Sequence, residues 1–173
     1  MNPILLFAIL IQSQTSIGFP DEVSSRYHYG PTNGRGDGYE DKVTEDGFWK
    51  ISARVGFSGA YATDMAIYRA AEMAKAKGSR YVEIHDAVSR RNNMTTAESV
   101  TLFARATDAP VHPTACRSGK PDRCYTADVA LVFARLSGAD GKHPGIAAPS
   151  YIDKEGRTVA RSGFGTGAVG VAQ

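Results

Sequence analysis

The chain is poor in cysteine and tryptophan, with two of the first and one of the second in 173 residues, and neither sign of charge prevails. Twenty Lys and Arg stand against eighteen Asp and Glu, a net charge of +2. So small a surplus offers no dense basic surface to neutralise successive phosphates, and nucleic acid is not expected as a partner. No apolar run approaches the ~20 residues that a spanning helix needs, so no transmembrane span is expected. A Gly-x-Ser-x-Gly nucleophile elbow is missing as well. The sequence assigns no catalytic, cofactor-binding or metal-binding residue.

What is present begins with an address. Ile4 to Ile11 is an apolar run of eight residues, followed by small and polar Ser13, Thr15, Ser16 and Gly18. That order predicts an export signal over residues 1–18, cleaved after Gly18, with cleavage after Thr15 as a rival. No Lys or Arg precedes the run, and a buried first strand is the other reading of the same Ile- and Leu-rich segment. The two cysteines agree with export. Cys116 and Cys124 flank Arg-Ser-Gly-Lys-Pro-Asp-Arg, whose Gly119 and Pro121 favour a turn. A turn brings the pair within the ~4.4–6.8 Å Cα separation of a disulfide. Disulfides persist in oxidising compartments, so a periplasmic or secreted location is expected.

Residues 19–38 are rich in Gly, Ser, Asn and charge and read as a flexible lead-in; residues 39–136 read as one α+β domain; residues 137–173 read as a Gly-, Ala- and Pro-rich irregular tail. Phe48 to Phe57 alternates, with Trp49, Ile51, Ala53, Val55 and Phe57 on one face and Lys50, Ser52 and Arg54 on the other. A period of two predicts a half-buried strand, with Tyr39 to Val43 as its hairpin partner. Next comes a helix with Thr63 as cap, Asp64 near its positive end and Gly78 as its stop. Its inner face would gather Ala66, Ile67, Ala70, Met73 and Ala74, and its outer face Asp64, Tyr68, Glu72 and Lys75. Arg80 to Asp86, Ser99 to Ala106 and Thr126 to Leu136 read as three further strands, with Ala87 to Glu98 a polar connection. The expected order is β-β-α-β-β-β, an antiparallel-rich sheet with one principal helix. In the tail, Lys154-Glu155-Gly156-Arg157 could form a hairpin tip.

Several strings resemble chemistry. Gly165-Thr166-Gly167-Ala168-Val169-Gly170 has dinucleotide-turn spacing but no room for the helix the motif requires, so no cofactor is expected. Arg35-Gly36-Asp37 is an adhesion tripeptide whose bland reading is a Gly-rich tether. Asn33, Asp37 and Asp41 fail the EF-hand pattern at Arg35 and Thr44. Asn93-Met94-Thr95 is a formal glycosylation sequon. His112 with Cys116 and Cys124 supplies three zinc-type ligands without a recognised spacing, and a disulfide accounts for the cysteines more simply. The one cluster suited to proton transfer is Glu83, His85 and Asp86, whose ordinary reading is a solvent-facing strand with His85 outward.

Gly38-Tyr39-Glu40, the Trp49–Phe57 strand, Gly59, the helix carrying Arg69-Ala70-Ala71-Glu72-Met73, Gly78, Tyr81-Val82, Ile84 and Asp86 together resemble a family of small bacterial cell-envelope lipoproteins of unknown function. The resemblance implies an envelope location and an α+β fold, and carries no catalytic residue with it. The chain departs from the family in having no lipobox cysteine, since no Cys precedes Cys116. Two functions follow as expectations. The first is a non-catalytic binding or structural module whose partner is an envelope protein or a glycan. The second is a small periplasmic enzyme using the His85 and carboxylate cluster.

Overall fold

The computed structural model describes residues 27–56, 61–120, 123–137, 150–152 and 158–160. The expected export signal, the Gly165–Gly170 string and Phe57 lie outside the described residues. The fold is α+β: a five-stranded antiparallel sheet, one principal helix and one short helix. In chain order these are β1 (Gly38–Val43), β2 (Trp49–Val55), α1 (Ala62–Ala76), β3 (Tyr81–Arg91), β4 (Glu98–Thr107), β5 (Cys124–Asp128) and α2 (Val129–Leu136). The strands lie in the order β1-β2-β4-β3-β5. A separate antiparallel pair, β6 (Ser150–Ile152) and β7 (Thr158–Ala160), joins segments on either side of residues 153–157 within the tail read as irregular.

The alternation of β2 sends Trp49, Ile51, Ala53 and Val55 under α1, where Val82 and Ile84 of β3 and Val100, Leu102 and Ala104 of β4 meet them. Ala62, Ala66, Ala70, Ala71 and Ala74 let the helix lie close to the sheet, and Met65 and Ile67 are fully buried. Each large aliphatic side chain sealed here contributes roughly 1.5–3 kcal/mol. The helix ends as expected at Gly78, whose φ of 76° suits a residue without Cβ. The amides of Gly78 and Ser79 return to the carbonyls of Lys75 and Ala74 at 2.9 and 3.0 Å, closing a Schellman motif.

Its start differs from expectation. Tyr61 is the cap residue and makes no side-chain cap bond. Glu98 of β4 instead accepts from the Thr63 amide and hydroxyl at 3.3 and 3.0 Å, so the cap arrives from across the fold. Tyr68, read as outward, is buried because α2 and the lead-in cover that side. Its ring meets Phe133 at 4.9 Å and Tyr29 at 5.5 Å, both edge to face. The lead-in is thus no loose tether over residues 27–37. Tyr27 and Tyr29 pack against the core, and the Tyr29 hydroxyl donates to Glu72 at 2.7 Å.

Two further strand readings are corrected. Thr126 to Leu136 divides at Asp128: β5 ends there, and Val-Ala-Leu-Val-Phe is helix. The Asp128 carboxylate accepts from the Ala130 and Leu131 amides, capping α2. Val129, Val132 and Leu136 then share the buried side, a helical spacing. Ala87 to Arg91 is not a polar connection but the second half of β3, which forms a hairpin with β4. A bulge separates the halves at Asp86, whose φ is 51°.

Candidate functional site

α1 covers one face of the sheet, and the opposite face carries the residues that could do chemistry. Strand pairing arranges them in rows across the sheet. One row runs Arg105, Glu83, Thr126, and the next runs Lys42, Lys50, Phe103, His85, Cys124. Beyond the bulge come Glu40, Ser52, Thr101, Val88, and then Gly38, Arg54, Ser99, Arg90. The bulge decides membership of the last two rows. Without it the outward phase of Glu83 and His85 would continue to Ala87, Ser89 and Arg91. With the extra residue, Val88 and Arg90 face outward, Ala87 packs on the core, and Arg91 reaches the Tyr61 ring at 5.9 Å.

The middle of the first two rows, Glu83, His85, Thr126 and Cys124, forms a sealed end, with Lys42 and Arg105 exposed at its rim. His85 is wholly buried, which corrects the expectation that it faces solvent. Its cover is the connection between β4 and β5, tied down by a Cys116–Cys124 disulfide with a Cα separation of 5.3 Å. The Arg117 amide donates to His85 Nδ1 at 3.2 Å. Nδ1 is therefore an acceptor, so the neutral ring carries its proton on Nε2 and donates it to Glu83 Oε2 at 3.2 Å. Arg105 Nε donates to the same oxygen, and its guanidinium lies 5.0 Å from the Phe48 ring centre. Phe48 meets the imidazole edge to face at 4.9 Å. Arg117 stacks over Phe103 at 4.0 Å and bonds Asp46 at 3.0 Å, closing the lid. Burial pushes the His85 pKa below its ordinary value, against the opposing pull of Glu83.

Glu83 and His85 therefore converge, as an acid–base site would require, but both imidazole nitrogens are occupied and no substrate can reach them. Asp86 does not join them; its Oδ1 is buried without a hydrogen-bond partner. His112 donates from Nδ1 to the Pro113 carbonyl at 2.9 Å, and the disulfide occupies both cysteines. Among the described residues no cluster of His, Cys, Asp and Glu could hold a metal ion.

The last two rows form an open end that sequence reasoning missed. They floor a groove of about 610 Å³ walled by Thr32 and Gly36 of the lead-in. The Ser52 and Thr101 hydroxyls stand 3.1 Å apart at its centre. Arg54 donates to the Arg35 carbonyl at 2.8 Å and lies 3.8 Å from Asp37, so the Arg35-Gly36-Asp37 tripeptide serves as a turn that shapes the wall. The Asn33 side chain fixes that turn by accepting from the Arg35 and Asp37 amides. Arg90, paired with Arg91 in sequence, is separated from it by the sheet itself. The sequon lies at the β3–β4 turn, where the Asn92 side chain accepts from the Met94 and Thr95 amides and Met94 is exposed.

No helix among the described residues is long and apolar enough to cross a membrane. No family model, curated protein or solved structure matches the chain.

Proposed function

We propose that the chain is a non-catalytic binding module of an exported envelope protein, and that it binds through the open end of the outer sheet face. The observation that carries this reading is the contrast within that face. Its imidazole–carboxylate pair is buried and fully bonded, whereas its accessible concavity presents hydroxyls, two guanidinium groups and the single carboxylate of Glu40, with no imidazole or thiol among them. A site that holds rather than transforms needs accessible, fixed polar groups, and a paired sheet supplies them on a rigid floor.

Export is supported by the Cys116–Cys124 disulfide, since such a bond survives in oxidising compartments. The resemblance to small envelope lipoproteins supports the same address. The partner is then an envelope protein or a glycan.

The test uses the full chain in its native host and in purified form. Thiol-reactive labelling under non-reducing conditions should leave Cys116 and Cys124 unmodified. Thr101→Trp fills the groove on a strand that accepts aromatics, and it should abolish retention of envelope material without altering the melting transition by more than a few degrees. Free thiols would sink the location, and undiminished retention would sink the binding face.

A further inference from the structure

We infer that the groove takes an acidic glycan, a chain of sugars bearing carboxylate or sulfate groups. This rests on the reading of the open end as the binding face, and it names the ligand class.

The argument starts from charge. The whole chain carries only +2, yet the outer face holds Arg54 and Arg90 in the groove and Lys42 and Lys50 in the row that borders it, against Glu40 in the groove and Asp37 beside it. Arg54 shares its charge with Asp37. Lys42, Lys50 and Arg90 make no ion pair among the described residues, in contrast to Arg105 and Arg117, which are spent at the sealed end. Four cations thus stand against two carboxylates in and around the groove, and three of the four are unpaired among the described residues, which favours an anion and hastens its arrival.

Spacing refines this. Arg54 and Arg90 occupy one row on either side of Ser99, two strand intervals or roughly 10 Å apart. They can hold two separated anionic groups rather than clamp one phosphate. Between them and Lys50 lie Ser52, Ser99 and Thr101, each of which can donate and accept a hydrogen bond as a sugar hydroxyl does. A ladder of hydroxyls bracketed by separated cations matches a linear acidic saccharide, whose own hydroxyls lie between its charges.

Other polyanions fit less well. Unpaired nucleic acid is held by stacking on aromatic side chains, and the two open rows contain none. An anionic bilayer rewards protruding apolar groups alongside cations, and the two open rows supply only Val88, with Met94 beyond them at the β3–β4 turn. Neutral sugars would have no ring to stack on and would make no use of the gathered charge.

The experiment titrates the purified, oxidised full chain with oligogalacturonate, malto-oligosaccharide, a single-stranded oligonucleotide and phosphatidylglycerol vesicles, each at low and at moderate salt. Backbone amide shifts locate the contact. Oligogalacturonate should move the amides of Ser52, Ser99 and Thr101, bind more weakly at higher salt, and lose about tenfold in affinity in Arg90→Gln. Arg90→Lys should recover part of that loss. Equal binding of malto-oligosaccharide, with Arg90→Gln unaffected but Thr101→Trp inactive, would overturn the acidic class while leaving the binding face standing. Tighter binding of the oligonucleotide or the vesicles at these amides would overturn the glycan assignment. Absence of any shift at the three amides would overturn the inference together with the face beneath it.

Discussion

At one end of the outer sheet face, Glu83 and His85 lie beneath a disulfide-tied loop with Arg105 at the rim; at the other, Arg54, Ser99 and Arg90 face solvent. Both ends are built from the outward positions of β2, β3 and β4 or their immediate neighbours, and both are polar. Only the cover differs. A covered polar group must find partners inside the protein, and at the sealed end every strong donor and acceptor of the imidazole has done so. The residues that look most like catalytic machinery are thereby spent on architecture. The serines, threonines and arginines that look like ordinary surface keep their capacity for a ligand. Reactive residue types are therefore a poor guide to function until their hydrogen bonds are counted.

The largest way to break the comparison is to remove its keystone. His85→Ala leaves Glu83 and the Arg117 amide without their shared partner and opens a void beside Phe48. It should lower the unfolding free energy by roughly 3 kcal/mol, measured by denaturant titration. A loss below about 1 kcal/mol would mean that the network does little for the fold, since ordinary surface changes stay near that scale.

Next in size is the lid. Replacing both Cys116 and Cys124 by Ser frees a short loop and should cost about 2–3 kcal/mol on the chain-entropy account. It should also make the sealed end resemble the open one: His85 becomes reactive toward diethylpyrocarbonate, to which it is inert under the intact loop. Unchanged protection would show that the aromatic and ion-pair contacts of Arg117 hold the lid alone.

Much of the frame behind this comparison was legible from residue order. The alternation of Trp49 to Val55, the alanine face of α1, its Gly78 stop and the turn between the cysteines each follow from local chemistry. Other features depend on information that no short window holds. The apolar run Val129 to Leu136 suits strand and helix alike, and the Asp128 cap tips it toward helix. The outward placement of Arg90 follows from one extra residue at Asp86, which reverses the phase of all that follows it in β3. The burial of His85 depends on a loop more than 30 residues downstream. The groove exists only in the register between strands, so no single segment announces it.

Acid should sharpen the contrast further. Burial holds the His85 pKa below the ~6.5 at which the unfolded chain's imidazole titrates. Between those two values the unfolded state binds the extra proton, so stability falls as pH drops below ~6.5 and levels off once the folded ring protonates. Protonation also turns Nδ1 into a donor facing the Arg117 amide, which breaks that bond. Glu83 and Asp86 oppose the shift and Arg105 reinforces it. Stability of the native chain, compared with His85→Ala at pH 7.5, 6.5 and 5.5, isolates this one group from the carboxylates. Parallel pH dependence in the two proteins would remove His85 as the cause.

The smallest effect separates the two arginines of the open end. Arg90 is exposed and makes no ion pair among the described residues, so Arg90→Gln should change stability by no more than about 0.5 kcal/mol. Arg54 is half-exposed, and its guanidinium also holds the Arg35 carbonyl and stands near Asp37. Arg54→Gln should therefore loosen the 32–38 wall and cost about 0.5–1.5 kcal/mol, the net worth of one such hydrogen bond. Both changes remove one cation from the same row, so they should weaken oligogalacturonate alike while differing in thermal stability. If the two variants instead lost stability and ligand in proportion, the groove would owe its affinity to the shape of its wall, and the charge on its floor would be incidental.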